Sequence, residues 1–142
     1  MSAVAFLRKG QVYVQRYLQT TAGLSIGHGP VYAAPLSDPS AIGDGLRSVL
    51  APPESTLPHP TQNEWGRLQQ PMLDAAGVRS WKALAKGSLA VGIERDGDFL
   101  SLIPSADYET DGGRSLPDRT VRAEFNSPDL GEKMLAAFAA CE

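Results

Sequence analysis

The sequence predicts an α+β fold, an antiparallel or mixed sheet of about five or six strands with helices packed on it. Three observations predict it. Two hairpins share a residue pattern, each is followed by a further strand and a capped helix, and a proline-rich stretch with short helical segments separates the two.

The first hairpin lies in "AVAFLRKGQVYV" from Ala3. Val4 and Phe6 alternate with Ala5 and Leu7, Lys9-Gly10 supplies a turn, and Val12 and Val14 resume the period-two spacing of a strand. The second, in "SLAVGIERDGDFLSLIP", places Val91 and Ile93 before Asp96-Gly97 and Phe99 to Ile103 after it. Asp-Gly is among the strongest short hairpin signals.

Strands are then expected from Val31 and Val121, each leading to a helix. In the first helix Asp38 or Ser40 serves as cap beside Pro39, and Ile42, Leu46, Val49 and Leu50 form the buried stripe. In the second, Asn126 or Ser127 caps, Pro128 suits the first turn, and Asp129 and Glu132 complement the helix dipole. Leu130, Met134, Leu135, Phe138 and Cys141 recur on one face. The offsets between corresponding pieces are about 87 residues at the hairpins, about 90 at the third strand and about 88 at the helices, so a pseudo-repeat of hairpin, strand and helix is expected. Gly43 and Gly131 occupy matching places in the first turns, at a cost of roughly 1 kcal/mol each relative to alanine. A close approach of helix to sheet is the expected reason.

Between the halves, Pro52, Pro53, Pro58 and Pro60 predict an extended surface connection. From Thr61 the spacing of Trp65, Leu68 and Met72 is helical, and Pro71 either kinks that segment or opens a second short helix. Ser80 caps a further turn that ends at Gly87, with Trp81 and Leu84 toward the core.

A composition of 42% hydrophobic and 20% charged residues predicts one globular domain over residues 1–142. The formal net charge of -3 gives no basic footprint, so direct nucleic-acid binding is not expected. The start "MSAVAFLRKG" is too short an apolar run for a signal peptide, and no stretch reaches the roughly 18 to 20 apolar residues that span a bilayer. A cytoplasmic location away from membranes follows as the expectation. Cys141 is the single cysteine, which agrees with a reducing compartment.

Chemistry is sparse. His28 and His59 sit on separate loops without ligand spacing, so no metal and no cofactor is expected. Neither "GLSIGHG" nor "GRSLPD" matches a nucleophile elbow. Gly23, Gly27 and Gly29 suggest a phosphate cradle only superficially, because the loop lacks the lysine and the following helix. Cys141 continues an apolar stripe and fits a small buried hydrophobe.

The densest polar stretch is "PSADYETDGGRSLPD", where Asp107, Glu109 and Asp111 gather around Tyr108. An exposed loop is expected. Its carboxylates could serve acid–base work or bind a cation, although their spacing does not match an EF-hand loop, stay merely solvated, or join the tyrosine as an anchor for a basic protein. Trp65 is a second candidate anchor, although its spacing with Leu68 favours the core.

The segments "SWKALAKGSLAVGIERDGDFLSLIPS" and "GGRSLPDRTVRAEFNSPDLGEKMLAAFAAC" carry a resemblance. A Trp-containing segment, a hairpin strand ending in Pro104-Ser105, a Gly-Gly loop, a strand and a Ser-Pro-X-Leu-Gly helix follow in order. This order resembles immunity proteins of bacterial contact-dependent growth inhibition systems, closely over about the last 60 residues and loosely elsewhere. The resemblance implies a cytoplasmic antitoxin that binds the C-terminal toxin domain of a cell-surface effector, commonly a nuclease, and blocks it by occlusion without chemistry of its own. No catalytic residues are carried over. Because nucleases present basic clefts, Asp107, Tyr108, Glu109 and Asp111 are the expected toxin contacts. The competing expectation is a small cytoplasmic hydrolase or ligand-binding enzyme that uses the acidic loop around residues 107–111 with His28. A structural subunit of a homo-oligomer is a third.

Overall fold

The computed structural model describes residues 2–142. The chain begins β1 (Ala3–Arg8), β2 (Gln11–Thr20), β3 (Ser25–Pro35) and α1 (Pro39–Leu50). The middle segment holds β4 (Thr56–Leu57), α2 (Gln62–Ala76) and α3 (Trp81–Ala85). Then come β5 (Ser88–Asp96), β6 (Phe99–Ala106), a helical turn α4 (Tyr108–Asp111), β7 (Arg114–Ser115), β8 (Val121–Glu124) and α5 (Leu130–Ala139). The class is the α+β fold expected, with an eight-stranded sheet that includes two two-residue strands.

The sheet runs β3-β2-β1-β5-β6, and β8 and β7 share the outer side of β6. β1 and β5 pair antiparallel at the centre, with Ala5 opposite Val91. Each half therefore contributes a hairpin, an outer antiparallel strand and a helix. At the first hairpin Lys9 and Gly10 both have positive φ, 50° and 76°, which a two-residue turn matching the strand twist requires.

Both sheet faces are covered near the centre, which is why β1 reads as a continuous apolar run. Ala5, Val14, Ile93 and Leu102 face α1 and α5, and Val4, Phe6, Tyr13 and Ala90 face Met72, Leu73 and Leu84 of α2 and α3.

The two matching glycines act differently from expectation. A Cβ on Gly131 would lie 1.7 Å from the carbonyl oxygen of Pro39, and one on Gly43 would lie 3.3 Å from the amide nitrogen of Gly131. The close approach is helix to helix, where α1 crosses α5. Gly45 is the glycine of α1 that sits over the sheet, its Cβ position 3.2 Å from that of Tyr32.

Asp38 is the cap of α1, accepting from the amide of Ala41 at 3.1 Å. The last helix starts at Leu130, later than the caps Asn126 or Ser127 would place it. Arg47 of α1 explains the delay: its guanidinium donates to the carbonyls of Phe125 (2.9 Å) and Ser127 (2.5 Å) and holds that stretch as turns. Pro71 neither ends nor restarts a helix; α2 runs through it with the proline on the exposed side. The proline-rich connection contributes β4, which pairs parallel with Gln19 and Thr20. It does so because β1 ends opposite Arg16 and leaves that side of β2 open.

Candidate protein-binding face

The acidic stretch is a helical turn. Asp107 adopts a left-handed conformation, φ 59°, where the chain leaves β6, and its carbonyl accepts from the amides of Thr110 (3.2 Å) and Asp111 (2.9 Å). Its own amide donates to the carbonyl of Glu142 at 3.1 Å. The Asp107 carboxylate lies 3.6 Å from Nε of Arg114, and Arg119 meets the Glu142 carboxylate at 2.6 Å. Glu109 and Asp111 point to solvent.

Tyr108 departs from the exposed anchor expected of it. Its ring turns inward to 5.2 Å from the ring of Phe6, and burial, with a smaller contribution from Tyr17, pushes its hydroxyl up to about 12. Gly113, at φ 87°, hugs the ring so closely that a Cβ there would sit 3.1 Å from it. The carboxylates therefore surround the outside of an aromatic side chain whose face belongs to the core.

On its other side Tyr108 borders a cleft of about 270 Å³ lined also by Gln15, Tyr17, Trp65, Leu68 and Trp81. Trp65 is half-buried here, edge-on to the His59 ring at 5.7 Å, and joins neither core cluster. Gln15 is buried and donates to the carbonyl of Gly29 at 2.9 Å. The indole nitrogen of Trp81 is buried without a hydrogen-bond partner. These side chains offer stacking and hydrogen bonding; among the described residues no acid–base pair lines the cleft.

His28 lies elsewhere. It pairs across strands with Arg16, whose guanidinium reaches the carbonyls of Val49 (3.0 Å) and Pro52 (2.6 Å) at the end of α1. His28 thus stands on the α1 side of the sheet and the acidic turn on the α2 side, so the constellation of a hydrolase built from the two is not assembled. Cys141 packs half-buried against the carbonyl of Ala90, and burial pushes its thiol up, as suits a packing role.

A feature that sequence spacing did not single out is the uneven cover of this face. The helix α2 lies over β2 and β3, and α3 and α4 lie over β5. Beyond them Phe99, Arg122 and Glu124 are exposed and Ser101 and Ile103 partly so. Glu94 and Asp96 of β5 flank this strip. Phe99 and the acidic turn mark opposite ends of β6, roughly 23 Å apart at about 3.3 Å per residue. The signal for an open strip was present in the alternation of β6: Phe99, Ser101 and Ser105 on one side, Leu100 and Leu102 on the other.

No family model matches the sequence, and no curated protein matches it. Solved structures do match in fold. A protein of unknown function from Neisseria meningitidis superposes with a TM-score of 0.75 at 17% identity, covering 99% of this chain and 94% of that one. A chain of the CdiA-CT/CdiI toxin and immunity complex from Yersinia pseudotuberculosis superposes with a TM-score of 0.75 at 12% identity, covering 99% of this chain and 96% of that one. The resemblance to growth-inhibition immunity proteins is thereby met in the fold. At these identities the likeness is one of architecture, complete from the first hairpin to the last helix.

Proposed function

We propose that this chain is an immunity protein that binds the C-terminal toxin domain of a contact-dependent growth inhibition effector and neutralises it by occlusion. The observation that carries this reading is the near full-length fold match to a chain of a toxin and immunity complex. The toxin is a nuclease with a basic cleft, and the immunity protein meets it in the cytoplasm without catalysing a reaction. Charge supports the pairing: Glu109 and Asp111 project from the acidic turn, and the open strip of the sheet carries further carboxylates on the same face. Asp107 contributes at the rim, and Tyr108 acts from beneath by holding the turn against Phe6.

The test is co-expression with the C-terminal domain of the effector encoded beside this chain, followed by purification through a tag on the effector. Stable co-purification and protection of cells from that domain are expected. A domain that remains toxic and elutes alone would overturn the reading. Replacing Asp107, Tyr108, Glu109 and Asp111 together by alanine tests the turn, and unchanged affinity at low salt would remove it from the interface.

A further inference from the structure

The open strip of the sheet carries a side-chain set that, among the described residues, no ion pair uses. Phe99 is 58% exposed, more than Leu24, Tyr32 or Leu36, the other exposed large apolar residues. Its direct neighbours across the strands are Asp96 on β5 and Glu124 on β8. Directly paired residues stand on the same face with Cβ atoms about 5 Å apart, so the phenyl ring is bracketed by two carboxylates. Glu94 stands on this face one step further along β5, and Asp98 adjoins it in the turn. Among the described residues none of Glu94, Asp96, Asp98 and Glu124 is in an ion pair, and Arg122, across from Ser101, is bonded to none of them.

A guanidinium suits a ring between two acids better than any other protein side chain. It lays its flat face on the ring and directs N–H donors from its edge to the carboxylates. An ammonium answers the charge but has no flat face to stack. A plain apolar side chain would cover the ring and leave the acids without a partner. The molecule already uses the stacked arrangement internally, where the Arg95 guanidinium sits 3.9 Å from the centre of the Phe125 ring and donates to the carbonyls of Gly97 and Leu50.

We propose that Asp96, Phe99 and Glu124 form a seat for an arginine side chain on the surface of the protein partner. The proposal rests on reading the chain as a toxin-binding immunity protein, and it adds a contact at the end of β6 away from the acidic turn. The partner then spans the open strip, with one basic group at each end.

The experiment is calorimetric titration of the effector's C-terminal domain with the wild type, with Phe99→Ala, and with the double variant Asp96→Asn, Glu124→Gln, at low and moderate salt. All three positions are exposed, so each variant should keep the wild-type melting curve. About tenfold weaker binding is expected for Phe99→Ala. The double variant should show a similar loss at low salt and a flatter salt dependence. On the partner, one exposed arginine should lose as much affinity when changed to lysine. If the wild type binds and both variants bind equally well, the seat is overturned and the immunity reading stands. If the wild type does not bind, both fall. A wild type that self-associates in sedimentation, with association lost in Phe99→Ala, would give the seat to a second copy and overturn the proposal.

Discussion

The two halves of this molecule share a plan and differ in their cover. In residues 3–50 and 88–139 a hairpin, an outer strand and a helix follow in the same order, and both helices pack on one face of the common sheet. On the other face the connecting segment supplies α2 and α3, which close over the first half and reach no further than β5 of the second. What this teaches is that repetition builds the core and the non-repeated segment determines which surface stays open. The acidic turn and the exposed Phe99 both lie where that cover ends.

The comparison is most easily broken at the helix crossing. Gly43 and Gly131 correspond in sequence, yet only a Cβ on Gly131 would overlap backbone, at 1.7 Å from the Pro39 carbonyl oxygen. Gly131→Ala should cost about 3 kcal/mol or more by denaturant titration. Gly43→Ala meets its neighbour at 3.3 Å and also gains helix propensity of about 1 kcal/mol. Its net change should stay within about 1 kcal/mol. Equal losses at the two sites would contradict the asymmetric crossing.

Next in size is Arg16, a buried cation whose guanidinium satisfies the carbonyls of Val49 and Pro52 at the end of α1. Arg16→Met should destabilise by about 2 kcal/mol, because charged hydrogen bonds to two carbonyls are lost and the carbonyls stay partly shielded from water. The measurement is the urea midpoint at constant slope. The second half anchors the same helix end through Arg95, on the carbonyl of Leu50 at 2.7 Å. Arg95 is less buried, so Arg95→Met should cost less.

A titration sharpens the picture of the covered side. Tyr108 holds its proton to about 12 against an ordinary 10.0. The folded pKa is raised, so the associated stability is fully present below pH 10 and is lost as the pH rises through about 12. Absorbance at 295 nm should show Tyr108 titrating late, beside Tyr17, whose hydroxyl burial also pushes up, and Tyr108→Phe should reduce the late step by one tyrosine. Ionisation of all four tyrosines together near 10 would place Tyr108 in water and restore it as an exposed anchor.

The smallest effect is expected at Trp81, whose buried indole nitrogen has no partner. Trp81→Phe removes an unsatisfied donor while sacrificing some contact with Phe6, 6.1 Å away between ring centres. The two changes oppose one another, and stability should move by less than about 1 kcal/mol.

Much of the fold was legible because its signals are local. The turn at Lys9-Gly10, the cap at Asp38, the stripe of α1 and the repeat of the hairpins each depend on residues within a few positions of one another. The candidate site was legible only in part. Asp107, Glu109 and Asp111 were visible as a charged cluster, but the inward turn of Tyr108 depends on Phe6, about a hundred residues earlier in the chain. The separation of His28 from that cluster depends on which sheet face each strand residue takes, and the pairing of His28 with Arg16 puts it on the α1 side.

By itself the sequence determined the two hairpins and their turns, the cap and buried stripe of α1, the doubled hairpin-strand-helix plan and an acidic balance, since each follows from short-range periodicity or from counting. Only the tertiary structure decided that the paired glycines let two helices approach closely, that Tyr108 packs against the core, and that Phe99 stands between Asp96 and Glu124 on an open sheet. Those outcomes depend on contacts between residues far apart in the chain, which strand pairing and helix cover create and which no local pattern encodes.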